Sequence, residues 1–90
     1  MKFKNFPSPN FNEKKRLKSS IKFLVIHYTG MQSERESIAR LCDLRSEVSC
    51  HYLISVDGKI YRLVNDQYAA WHAGISHWGK YKNLNKSSIG

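Results

Sequence analysis

Ile21-Lys22-Phe23-Leu24-Val25-Ile26, closing on His27, is a nearly continuous apolar run. A strand with one wet face alternates apolar and polar residues, so this run reads as a strand covered on both faces, as in a sheet with helices packed on it. His27 stands at its carboxyl end, where open α/β sheets tend to place functional groups. Downstream, Ser33-Glu34-Arg35-Glu36 matches a capping box and sets the start of a helix. Ile38, Leu41, Cys42 and Arg45 follow at i, i+3, i+4 and i+7 and line one side of that helix, which is expected to end near Arg45. Cys50–Ser55 and Lys59–Val64 are β-rich runs around Val56-Asp57-Gly58, and Asp-Gly supplies the positive φ angles of a tight hairpin. Tyr68–His72 reads as a further strand. Gly74–Lys86, rich in Trp, Tyr, Gly and Asn, reads as a long loop suited to ligand recognition.

Upstream of the strand, residues 1–20 hold both prolines and a Lys14-Lys15-Arg16 run, so they read as a basic extended arm, and the folded unit as residues 21–90. The chain carries 15 Lys plus Arg against 7 Asp plus Glu, a net charge of +8. Such a balance favours anionic partners, including nucleic acid or a carboxylate-bearing polymer, and does not choose between them. Much of the excess lies before Phe23 and reads first as a solvated arm. With 90 residues, one small domain is the upper bound. Cys42 and Cys50 have no metal-binding spacing and are too few for a disulfide framework, so free thiols are expected. The sequence contains no apolar stretch of membrane-spanning length, and its first residues lack the apolar core of a secretory signal. A cytoplasmic location is the expectation, with a periplasmic one as the alternative.

Three stretches could carry chemistry. A neutral imidazole is a good zinc ligand, and His27 is the first candidate, although a histidine ending an apolar strand also reads as structural. His51 lies inside the first hairpin strand and reads as either a core or a cleft-side group. Trp71-His72-Ala73-Gly74, with Ser76, Trp78, Asn83 and Asn85 after it, puts an indole beside an imidazole and amides. A flat aromatic face can pack on a sugar ring or peptide stem while the polar groups bond its amides. Packing alone would also account for the tryptophans. His77 matches no such role and reads as a surface residue.

The His27-Tyr28-Thr29 strand end, the Trp71-His72-Ala73-Gly74 motif and Ser88-Ile89-Gly90 occur in an order that resembles the zinc-dependent N-acetylmuramoyl-L-alanine amidases. That family includes phage lysozyme-type amidases and peptidoglycan recognition proteins. The Ser8-Pro9-Asn10-Phe11 lead-in, and Cys50 where other branches carry tyrosine, resemble the bacterial muropeptide-amidase branch. The resemblance implies an α/β fold with a mixed central sheet flanked by helices, of which residues 21–90 would form the amino-terminal portion of a truncated catalytic domain. It implies Zn2+ as cofactor, His27 as a metal ligand, and Trp71, His72, Ala73, Trp78, Asn85 and His51 as substrate-binding residues. The implied reaction is hydrolysis of the amide between N-acetylmuramic acid and L-alanine in peptidoglycan or muropeptides, with no nucleic-acid partner. The family's general-base glutamate, its further zinc ligands and an oxyanion-stabilising lysine are expected after Gly90, so no catalytic base falls within these residues. A catalytically inactive peptidoglycan-binding chain is the alternative.

Overall fold

The computed structural model describes residues 3–30, 33–74 and 76–90, apart from the side chain of His77, so the expectation for that side chain lies outside the described part. The firmest local element is the hairpin of β3 (Tyr52–Ile54) and β4 (Ile60–Arg62), antiparallel with Leu53 opposite Tyr61. Its turn closes through Gly58, at φ +87°, where an L side chain would be strained. Along each strand alternate residues point one way, so Leu53, Tyr61 and Leu63 share a buried face. Helix α1 (Glu34–Leu41) lays Ile38 and Leu41 on that face, and Cys42 and Cys50 complete the cluster. Burying each large apolar side chain contributes about 1.5–3 kcal/mol. The fold is α/β with a mixed sheet: β1 (Phe3–Asn5) runs parallel to the other edge of β4.

The helix starts as expected, with Ser33 as N-cap and its hydroxyl accepting from Glu36 N at 3.1 Å. It stops at Leu41 rather than near Arg45. Asp43 accounts for the difference, because its carboxylate accepts from Arg45 N at 3.0 Å and caps a separate 3-10 turn, Leu44–Ser46.

The apolar run that announces the fold forms a shorter strand than expected. Only Phe23–Leu24 (β2) is in a ladder, parallel to β7 (Ser88–Ile89). Ile21, Phe23 and Val25 are half-buried, whereas Leu24 is 71% and Ile26 85% exposed. One face of the strand is therefore covered and the other is open among the described residues. Tyr68–His72 is likewise no strand: it makes a single bridge, Ala70 to Phe11. Its neighbours bond an irregular segment instead, Asn12 N to Ala69 O at 3.1 Å and Arg16 N to Gln67 O at 2.8 Å. Within the expected long loop a small hairpin forms, β5 (His77–Trp78) with β6 (Tyr81–Lys82), followed by a 3-10 turn at Leu84–Lys86.

Residues 3–16 are largely extended and their lysines are exposed, but some of their polar side chains are tied to the body. Ser8 and Asn10 are buried, and the Ser8 hydroxyl donates to the Leu41 carbonyl at the end of α1. Asn10 Nδ2 donates to the carbonyls of Asp43 and Val48, each at 2.8 Å. These polar side chains bond main-chain carbonyls at the end of α1 and in the segment after it; the Asp43 carbonyl also accepts from Ser46 N at 3.0 Å, within the 3-10 turn. Asn10→Ala, which leaves both carbonyls without that donor, is expected to lower stability by about 1–3 kcal/mol. Urea denaturation would show it, and a loss under about 0.5 kcal/mol, typical of a surface change, would contradict the assignment. No helix among the described residues is long and apolar enough to cross a membrane.

Candidate functional site

The strand pair β2–β7 brings the ends of both strands to one place. His27 follows β2 and Gly90 follows β7, while His72 reaches the same point from the segment after Ala70. His27 Nε2 and His72 Nδ1 are 3.0 Å apart, with the rings edge-to-face at 70°. His72 Nε2 in turn lies 2.9 Å from Ser88 Oγ. Asn85 holds the segment in place: its Oδ1 accepts from His72 N at 3.0 Å and Ala73 N at 2.8 Å. Ser76 ties the far end of the loop, its carbonyl accepting from Asn83 N at 2.8 Å and its hydroxyl from Leu84 N at 3.0 Å. Asn85 Oδ1 and the Ala73 amide, both in residues expected to bind substrate, thus serve each other.

Trp71 and His72 form a wall between two cavities. The larger, about 500 Å³, also meets Val48, Gly74 and Asn85. The smaller, about 230 Å³, also meets His27, Tyr28 and Arg40. Trp71 is oriented by its indole N–H, which donates to Asn12 Oδ1 at 2.8 Å. Trp78 stands apart on β5, 70% exposed, and lines neither cavity.

His51 lies in the core, the first of the two places its sequence position allowed. It is fully buried, and both ring nitrogens are engaged. Nδ1 accepts from Gly90 N at 3.1 Å, so the proton is on Nε2, which donates to the Tyr68 carbonyl at 2.8 Å. Its main-chain N–H donates to Gly90 O at 2.9 Å. The ring therefore pins the end of β7 rather than meeting a ligand. Burial holds its pKa below the ordinary 6.5, the nearby Arg16 guanidinium lowers it further, and the Tyr68 carbonyl and Asp66 act the other way. An unfolded chain then binds a proton that the folded one refuses, so this group's stabilisation is whole above about pH 6.5 and is lost as pH falls below it. The urea midpoint is expected to drop between about pH 7 and pH 5, less steeply in His51→Asn; parallel slopes would refute it.

Burial, aided by the neighbouring His27, His51 and Arg16, pushes the His72 pKa down to about 4, so its ring is neutral at pH 7. Burial pushes the Cys50 thiol up to about 12, and also raises Cys42. Both are free thiols, as expected, and both remain protonated in the metal-free protein. A catalytic zinc takes three protein donors. The described residues bring two imidazoles together, and no group of three His, Cys, Asp or Glu among them could hold a metal ion. They supply part of a metal site, not a whole one.

Sequence reasoning passed over Arg16, Ser88 and Gly90. Arg16, read within the arm, donates to the carbonyls of Asp66 and Asn85, each at 3.0 Å, and locks the loop against the body. Gly90 packs so closely on the His72 ring that a Cβ there would lie 2.3 Å from Cγ. The Ser88-Ile89-Gly90 triplet was itself the available signal, although its residue types do not reveal the contact.

Residues 17–90 match the family model described as N-acetylmuramoyl-L-alanine amidase. The chain is similar to N-acetylmuramoyl-L-alanine amidase AmiD of Escherichia coli, 47% identical over 77 residues, covering 78% of this chain and 27% of that protein. It is also similar to 1,6-anhydro-N-acetylmuramyl-L-alanine amidase AmpD of Haemophilus influenzae, 30% identical over 100 residues, covering 92% and 54% respectively. Among solved structures, the selenomethionine derivative of AmpD superposes with a TM-score of 0.77 at 26% identity, covering 97% of this chain and 57% of that one. The chain thus spans about a quarter and about half of the two curated relatives.

Proposed function

Because the chain belongs to the N-acetylmuramoyl-L-alanine amidase family, we propose that it forms the amino-terminal part of an amidase that cleaves the bond between N-acetylmuramic acid and L-alanine in peptidoglycan or muropeptides. The observation that carries this reading is the Trp71–His72 wall, with His27 Nε2 3.0 Å from His72. It sets an aromatic face and two imidazoles along one cleft, the surface a saccharide joined to a peptide requires. In this reading Trp71 packs against the sugar or the stem, and the segment held by Asn85 orients it. His27 would be one donor to a zinc ion, the remaining donors being supplied from outside the described residues. Bound zinc would supply Lewis acidity at the scissile carbonyl and an activated water. The half-buried His72, held neutral by burial, adds no charge to the cleft.

The incomplete donor set favours a second reading for these 90 residues taken alone: muropeptide binding without turnover. To separate the two, the protein produced from its native gene is incubated with an N-acetylmuramyl-L-alanyl peptide, and release of the peptide is followed by mass spectrometry. Release that stops on chelation and returns with Zn2+ supports the amidase. Binding without release supports the second reading, and release that survives chelation overturns the metal.

A further inference from the structure

We infer that Glu47 makes the larger cavity beside Trp71 a cation-selecting subsite, which takes the side chain of a stem residue carrying a free primary ammonium. The inference rests on the reading of the Trp71–His72 cleft as the seat of a muramyl peptide, and on no metal.

The cavity of about 500 Å³ is lined by apolar Leu44, Val48 and Trp71, by His72, which is neutral at pH 7, and by Glu47, the one charged side chain among the described residues that line it. The Glu47 carboxylate has no hydrogen-bond or ion-pair partner among the described residues, whereas Asp43 is paired with Arg45 and Asp57 with Lys59. Arg45, the nearest basic residue along the chain, is thereby engaged, its Nε donating to Asp43 Oδ1 at 3.2 Å and its Nη2 to Oδ2 at 3.1 Å.

The placement of the carboxylate is fixed by the main chain. Glu47 closes the 3-10 turn Leu44–Ser46 in the left-handed region, at φ +53° and ψ +29°. A glycine would adopt that conformation without strain, so the turn itself does not call for a glutamate. Two residues on, Ser49 N donates to the Trp71 carbonyl at 2.8 Å, and Ser49 Oγ accepts from Trp71 N at 2.9 Å. The Val48 carbonyl between them accepts from Asn10 Nδ2 at 2.8 Å. Glu47 is therefore carried on a segment clasped to the residue that forms the cavity wall.

An ammonium on a flexible aliphatic side chain fits this lining. Its methylenes pack on Leu44 and Val48 while its charge meets Glu47. A carboxylate would be repelled there, although the chain's net charge of +8 favours anions elsewhere. The net charge thus favours capture of an acidic stem, and Glu47 decides which of its residues enters the cavity.

The protein from its native gene is titrated calorimetrically, with a chelator present so that no turnover intervenes. The ligands are N-acetylmuramyl-L-alanyl-D-isoglutaminyl-L-lysine and the same peptide ending in norleucine, which keeps the carbon chain and lacks the ammonium. At low salt the lysine peptide is expected to bind about fivefold more tightly, a preference that fades as salt rises. This comparison requires no variant to fold. Glu47→Gln, which removes only the charge, is expected to erase the preference by weakening the lysine peptide alone, and Glu47→Lys to reverse it. Equal affinity of the parent for the two peptides, or a preference that Glu47→Gln retains, overturns the subsite while the muramyl-peptide reading stands. If neither peptide binds the parent, that reading fails and the subsite with it.

Discussion

In a longer protein that carries the remaining zinc donors, replacing His27 with alanine is expected to abolish zinc binding and, with it, hydrolysis of the muramyl amide under the proposed function, while leaving the metal-free fold nearly as stable as before. The side chain is exposed, and among the described residues its hydrogen bond is to His72. Substitutions at such positions change stability by about 0.5 kcal/mol or less. Loss of one donor from a three-ligand site is different in kind, because the ion is left with too few protein bonds to compete with water. A protein that binds zinc gains stability by mass action, about 2.7 kcal/mol at a free ion concentration a hundredfold above its dissociation constant. The parent should therefore melt at higher temperature with Zn2+ present, and His27→Ala should not. A variant that keeps either the zinc-dependent shift or its turnover would remove His27 from the metal site.

Gly90→Ala carries the second large effect, and its cause is steric. An added Cβ would sit 2.3 Å from Cγ, 2.5 Å from Cδ2 and 2.5 Å from Nδ1 of His72. Carbon atoms in ordinary contact are about 3.5–4.0 Å apart, so one side must move by more than 1 Å. Neither side moves freely. The His72 ring is held at Nε2 by Ser88, and its main chain by Asn85. Gly90 donates to His51 Nδ1, and its carbonyl accepts from the amides of His51 and Tyr52 at 2.9 and 3.2 Å. Overpacking of this kind costs about 1–3 kcal/mol. A lower urea midpoint and displaced His72 ring resonances are the expected results. Parental stability with unshifted resonances would show that the contact yields easily.

Much of this is visible in the one-dimensional chain wherever the cause is local. Asp57-Gly58 between β-rich runs determines a hairpin because positive φ is a property of the turn itself. Ser33 announces the helix because its partner, the Glu36 amide, is three residues away. Asn10 and Arg16 are the opposite case. Their own neighbourhood is proline, lysine and asparagine, which reads as solvated, while Asn10 is satisfied by carbonyls 33 and 38 residues away and Arg16 by carbonyls 50 and 69 residues away. The β5–β6 hairpin escaped notice because its two-residue strands contain no period to read. The open face of β2 escaped notice for another reason: apolar residues state a tendency to be covered, and the described residues cover only one side.

Residue order alone shows the chemistry at hand: a run ending in His27, a Trp71-His72 motif resembling that of an amidase family, and thiols with no metal-binding spacing. Which histidines meet depends on how the chain packs. Packing paired His27 with His72 across 45 residues, buried His51 as a pin for Gly90, and set the Ser88 hydroxyl against the ring of His72, 16 residues earlier. Residue identity specifies which protons can be donated, whereas direction, distance and exclusion of water specify where each one goes, and those arise when the chain packs against itself.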